Sequence, residues 1–334
     1  MKDIKEPKTL QEAIVHFSNP DNCVDYLASK RWPDGVVICP TCGSDKVHFL
    51  ASRRLWQCSN RHDKRQFSIK VGTVMEDSAI GLDKWLAAIW MLAGDKNGVS
   101  SYETHRGLGI TQKSAWFLMH RIRVAMQDGG IFQKFSGHVE VDETFIGGKA
   151  RNMHIDVKKR RITGSGPGDK TAVMGILERG DSSKGTHSRV RTAVVPNRKK
   201  KTLQAEVRQN VQAGAALYSD FLLSYEGLAS DYAHQVVDHA VEYVRGKVHT
   251  NGTENFWSLL KRSINGTYVS VEPFHLFRYL DEQSFRYNNR GTREKPTTDF
   301  DRFGLVVSHI VGKRLTYKEL TGKELLEKPR PEAF

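Results

Sequence analysis

No apolar run in the sequence approaches the eighteen or more residues that a membrane span requires. The opening Met1-Lys2-Asp3 is not a secretion signal, and no basic amphipathic helix accompanies a lipidation motif. These absences predict a cytoplasmic chain with no membrane partner. No internal repeat is visible, which sets a repeat architecture aside. Cysteine is scarce, with 4 in 334 residues, and a reducing cytosol argues against disulfides between them.

Positive charge is abundant. A formal net charge of +13 speaks to partners rather than fold, and favours nucleic acid over an acidic membrane surface. The length allows two or three domains with their own cores, and 39% hydrophobic residues fit a soluble globular protein.

Residues 1–35 carry helix candidates around Leu10–Phe17 and Val24–Leu27, with Cys23 as a small apolar residue. Residues 36–72 form a different pattern. Cys39-Pro40-Thr41-Cys42-Gly43 is a knuckle that presents two thiolates, and the hairpin candidates Lys46–Leu50 and Arg53–Cys58 lead to a third. Zinc takes four tetrahedral ligands. A second knuckle would end in cysteine at position 61, where Arg61 stands, so His62 is the expected fourth ligand and His48 the alternative. A segment this small needs the ion to fold well.

Residues 80–127 read as helical. Leu82, Trp85, Leu86, Ile89 and Trp90 share one face, and two further helices, Ser100–Arg106 and Thr111–Met126, meet at Gly107-Leu108-Gly109-Ile110. Short helix, glycine-bearing turn and longer helix form a helix-turn-helix pattern, with Lys113, Arg121 and Arg123 as DNA-contacting candidates.

Residues 137–290 mix strands and helices, with strands expected at His138–Ile146, Thr171–Leu177, Ser188–Val195 and Ala215–Ser219. Asp142 lies on the strand face opposite Val139, Val141 and Phe145, whereas Glu143 shares that face. A single ion is therefore not expected to meet both. Two basic runs, Lys158-Lys159-Arg160-Arg161 in a polar insert and Arg198-Lys199-Lys200-Lys201 before a helix at Leu203–Val211, supply phosphate-contact candidates. In the stretch His249–Arg262, Phe256, Leu260 and Ile264 recur at helical spacing, while Asn251, Glu254 and Lys261 fall on another face. Glu254 and Lys261 lie almost two turns apart. A purely local reading makes Asn251 the helix cap, with Glu254 closing a capping box. Pro273–Asn289 is expected as a long helix with Phe274, Phe277, Leu280 and Phe285 inward, and residues 291–334 as a tail without assigned chemistry.

Asp142 in a strand, Asp220 at a strand end and Glu254 in a helix resemble the acidic triad of DDE transposases. Trp32-Pro33-Asp34-Gly35, the Cys39 knuckle, Gln66-Phe67-Ser68, Ala115-Trp116, Val141–Lys149, His249-Thr250-Asn251, Glu254–Trp257 and Phe285–Asn288 resemble, in order, the bacterial insertion-sequence group with an N-terminal zinc ribbon. The resemblance implies a multidomain α+β chain: zinc ribbon, helix-turn-helix region, then a ribonuclease-H-like mixed α/β catalytic domain. It implies two magnesium (or manganese) ions on Asp142, Asp220 and Glu254, structural zinc, and Lys261 at a phosphate. Some relatives use asparagine or histidine third, so Asn251 or His249 competes with Glu254. It further implies cleavage at element ends, 3′-end joining to double-stranded target DNA, and a homodimer or higher oligomer on DNA at the nucleoid. The alternative is a DNA-binding regulator that keeps the ribbon and helices without catalysis.

Overall fold

The chain divides into two units, Met1–Gln127 with Thr298–Phe334, and Asp128–Thr297. The structure, a computed structural model, describes residues 6–127, 133–148, 155–156, 170–181, 183, 185–237, 249–292 and 294–322.

In the first unit, helix α1 (Leu10–Phe17) starts where the Thr9 side chain accepts the Glu12 amide, and α2 (Pro20–Arg31) follows an Asn19 cap with proline in its first turn. Strands β1 (Val47–Leu50), β2 (Leu55–Cys58) and β3 (Gln66–Phe67) form an antiparallel sheet in that order. Arg54 turns the hairpin with a left-handed φ of 52°. Helix α3 (Leu82–Gly94) buries Trp85, Leu86, Ile89 and Trp90, matching the expected apolar face. A full capping box between Ser100 and Glu103 opens α4 (Ser101–Leu108). Gly109, at φ 59°, turns the chain into α5 (Gln112–Met126).

The second unit is a five-stranded sheet between helices. Its strands are β4 (His138–Ile146), β5 (Thr171–Glu178), β6 (Arg189–Val195), β7 (Ala216–Asp220) and β8 (Ala233–Val237), in the spatial order β6-β5-β4-β7-β8. The pairs β4–β5 and β5–β6 are antiparallel, whereas β4–β7 and β7–β8 are parallel. Helix α6 (Lys200–Asn210) packs Leu203 and Val207 on one sheet face with Val139, Val141, Ile176 and Leu217. Helices α7 (Asn251–Arg262) and α8 (Leu276–Asn288) cover the other, where Phe256, Trp257, Leu260 and Leu280 meet Val173, Leu177 and Val190. Strand alternation divides the two cores. Asn288 seals the free side of β6: its side chain accepts the Val190 amide at 2.7 Å and donates to the Val190 carbonyl at 2.9 Å.

Two expectations fail here. Phe274 and Phe277 are 49% and 42% exposed: α8 begins only at Leu276, after a 3-10 turn, and turns Leu276, Tyr279 and Leu280 inward instead. Residues 298–322 are no separate tail. They return to the first unit as α9 (Asp299–Ser308) and α10 (Tyr317–Leu320), and Phe303 of α9 packs against Phe17, Tyr26 and Trp90.

Candidate functional site

The ribbon brings Cys39, Cys42, Cys58 and His62 together, with all four donor atoms within 4.8 Å of one another. Cys42 Sγ lies 3.6 Å from Cys58 Sγ, and Cys39 Sγ lies 3.5 Å from His62 Nε2. A tetrahedral zinc with ordinary bond lengths would set these separations at about 3.8 Å and about 3.6 Å. The donor set therefore fits the ion in chemistry and in dimensions. His62 Nδ1 faces the Asp63 carbonyl at 2.5 Å, a contact that leaves Nε2 for the metal. His48, the alternative ligand, is exposed on β1 opposite Gln57. Trp32, Phe49 and Phe67 pack around Trp56, giving the ribbon a small aromatic core.

The acidic residues meet where β4 and β7 separate. Their parallel ladder ends at Glu140↔Tyr218, and two residues further along each strand stand Asp142 and Asp220. In open α/β sheets, the crevice beyond the carboxyl ends of parallel strands is where ligands bind. Helix α7 crosses the same face, and its Glu254 is exposed. Burial pushes the Asp142 carboxyl up to about 6; the Trp257 indole opposes this by donating to Asp142 Oδ2 at 2.9 Å, while Asp220 and Glu254 add repulsion. Glu143 points to the other face, where it accepts the Tyr225 hydroxyl; burial, then Asp220 and Asp142, drive it up to about 8. Asp142 and Glu143 thus face opposite cores, as alternation predicts. Among the described residues the tight four-donor convergence of the ribbon has no acidic counterpart; Asp142 is within electrostatic reach of Asp220 and Glu254.

Several side chains that hold this arrangement carry no motif signal. Gly175 sits opposite Asp142 on β5, and a Cβ there would lie 2.6 Å from Trp257 Cζ2; only glycine lets the indole lie over the strand. Glu140, almost fully buried, accepts Arg179 Nε at 2.6 Å and the Thr253 amide at 2.9 Å. Strand alternation puts Glu140 on the face of Asp142, the signal by which the sequence could have revealed it. Two further candidates lie on α7, and His249 just before it. Asn251 and Lys261 are exposed, and Asn251 is the first helical residue rather than the cap, which is Thr250. His249 Nδ1 faces an Arg179 guanidinium nitrogen at 3.0 Å.

The DNA-contacting candidates divide in the same way. Lys113 is exposed in the first turn of α5, its ammonium 4.7 Å from the Tyr317 ring. Arg121 and Arg123 are corrected: they are 4% and 1% exposed. From Leu118 onward every residue of α5 is buried, so that half of the helix cannot enter a groove. Arg121 lies between Trp85 and Phe117 and donates to the Glu76 carbonyl, and burial pulls it down to about 10. Lys199 and Lys200 are exposed at the start of α6. Lys158, Lys159 and Arg160 lie outside the described residues.

Residues 134–288 match the family model of the ISXO2-like transposase domain, and residues 18–61 match that of a transposase zinc-ribbon domain. A protein of transposable element ISH50 from Halobacterium salinarum is 27% identical over 266 residues, which is 75% of this chain and 84% of that protein. A transposase-like protein of Haemophilus influenzae is 31% identical over 102 residues, 30% of this chain and 82% of that protein. No solved structure matches significantly. No helix among the described residues is long and apolar enough to cross a membrane. With a zinc ribbon that can hold its ion and a sheet unit that coincides with the matched transposase domain, the chain belongs to the insertion-sequence transposases that pair a zinc ribbon with an ISXO2-like transposase domain.

Proposed function

We propose that this chain is a DDE-type polynucleotidyl transferase that cuts DNA at the ends of its element and joins the resulting 3′ ends to target DNA. The observation that carries this reading is the meeting of Asp142 and Asp220 where two parallel strands part, under the helix that bears Glu254. The strand order, three antiparallel strands continued by two parallel ones, supports a ribonuclease-H-like assignment for the second unit.

The donor set suits magnesium or manganese. All its ligands are oxygens, and burial, with added repulsion from Asp220 and Glu254, holds the Asp142 carboxyl above its ordinary range, a cost that a bound cation would offset. Asp142, Asp220 and Glu254 would hold such ions, and these would supply activation of an attacking hydroxyl and stabilisation of the leaving oxygen. The chain's own residues do the rest. Trp257 orients Asp142, Lys261 offers a point charge to a phosphate on the exposed side of α7, and Lys199 and Lys200 contact the backbone further along. End recognition falls to the first unit, through the ribbon and the exposed first turn of α5 around Lys113, with α4 and α5 as a helix-turn-helix whose second half serves the core.

The test is metal-dependent cleavage and strand transfer on a labelled end oligonucleotide. Asp142→Asn, Asp220→Asn and Glu254→Gln are each expected to abolish both steps while leaving end binding within about twofold, since each removes one charge at constant size. Cleavage that survives in Glu254→Gln but is lost in Asn251→Ala would move the third ligand to Asn251. Sequence-specific binding with no metal-dependent product would favour the regulator.

A further inference from the structure

Helix α7 carries Glu254, and its cap residue, Thr250, makes no side-chain cap hydrogen bond. The same holds of α3, α6 and α8, whereas α1, α2, α4, α5, α9 and α10 are each capped by their own N-cap side chain. The missing acceptor at α7 comes from β4. Glu140 Oε2 accepts the Thr253 amide at 2.9 Å, the third helical position, where a local cap would act. A carboxylate at a helix N-terminus is also favoured by the helix dipole.

Glu140 is itself held. Arg179 Nε donates to Glu140 Oε1 at 2.6 Å, and the same guanidinium reaches the His249 carbonyl at 2.6 Å and His249 Nδ1 at 3.0 Å. The Tyr218 ring lies 4.3 Å beneath Arg179. The chain is thus gripped just before α7 begins and again at its first turn. A second rung lies one helical turn on, where the Trp257 indole donates to Asp142. Two residues of strand advance about 6.7 Å and four residues of helix about 6 Å, so Glu140/Asp142 on β4 match Thr253/Trp257 on α7. Glu254 lies between the rungs. Glycine at 252 is part of this fit, because a Cβ there would stand 2.8 Å from Glu140 Oε2 and 3.0 Å from both Glu140 Oε1 and Leu177 Cδ2. The carboxylate cannot move aside without releasing Arg179 or Thr253.

We infer that Glu140, clamped by Arg179 and His249, is a positioning residue that sets the distance of Glu254 from Asp142 and so the metal affinity of the acidic cluster. The inference rests on the reading of Asp142 and Glu254 as metal ligands. It assigns His249 to the clamp and removes it from competition for the third metal position.

The test uses the full chain in two measurements: Mn2+ binding by electron paramagnetic resonance, and amide hydrogen exchange. Glu140→Ala strands Arg179 and risks misfolding, so the deciding variants are Glu140→Gln, which keeps the volume, and Gly252→Ala, which keeps every polar group. Both are expected to weaken Mn2+ binding about 10–100-fold, the usual cost of losing a group that orients a ligand. Both are also expected to speed exchange across the first turn of α7 at least about tenfold, with α6 and β5 unchanged. Glu140→Asp, which keeps the charge on a shorter arm, is expected to fall between these variants and wild type. Mn2+ affinity lost in Asp142→Asn but kept in Glu140→Gln and Gly252→Ala would overturn the inference and leave the metal reading intact. Exchange loosened evenly through the second unit would also overturn it, since that marks a general fold defect. Mn2+ binding indifferent to Asp142→Asn would defeat the metal reading, and the inference with it.

Discussion

Gly175→Ala is a small change aimed at the centre of the acidic cluster. The added Cβ would lie 2.6 Å from Trp257 Cζ2 and 2.8 Å from Cη2. To regain ordinary contact the indole must retreat by about 0.8 Å. It has little room, being 4% exposed and packed edge-on to Phe256. Overpacking of this kind costs about 1–3 kcal/mol. In a unit of this size that lowers Tm by roughly 2–12 °C. The retreat also draws the indole N–H away from Asp142 Oδ2. The assay is a double-mutant cycle with Trp257→Phe, followed by denaturant unfolding and by the indole N–H resonance. Phenylalanine lacks the two ring carbons that collide, so Gly175→Ala should cost at least about 1 kcal/mol less in that background. Costs that add within about 0.5 kcal/mol would refute the steric argument. An unshifted indole resonance in Gly175→Ala would refute the link to Asp142.

Further outcomes are expected for the ribbon and for α5. The purified protein should carry about one zinc per chain in the ribbon, a stoichiometry lost in Cys42→Ser and kept in His62→Cys; after chelation the exposed Cys42 should alkylate quickly, whereas Cys23, which is buried, donates to the Phe17 carbonyl and is pushed up to about 12, should stay unreactive in the folded chain. Metal analysis that finds no zinc would end this reading. Lys113→Ala should weaken binding to end DNA without altering stability, and Arg121→Ala should destabilise the first unit by about 2–4 kcal/mol through lost packing and an orphaned Glu76 carbonyl; an Arg121→Ala protein that is fully stable yet defective on DNA would return that side chain to the interface.

Local chemistry was legible in the chain itself. Cys39, Cys42, Cys58 and His62 could be picked out because zinc knuckles are short and the ion dictates their spacing. Helix α7 could be read from Phe256, Leu260 and Ile264, and the opposite facing of Asp142 and Glu143 from strand alternation, since both follow from backbone periodicity. What periodicity cannot supply is the partner of each face. Arg121 and Arg123 looked like a DNA-reading stripe, but α5 is surrounded, and burial against Trp85 and Phe117 claimed the arginine that pattern alone left to solvent. Phe274 and Phe277 looked like core, but the sheet accepts only the face of α8 that carries Leu276, Tyr279 and Leu280. Residues 298–322 showed no chemistry because their role is to return Phe303 to an aromatic cluster almost three hundred residues upstream. The cap of α7 lies on β4, 113 residues from the amide it serves. Sequence determines which faces are apolar and which groups must find a partner; only the tertiary structure decides which partner, because side chains far apart in the chain become neighbours only when the sheet and helices close on one another.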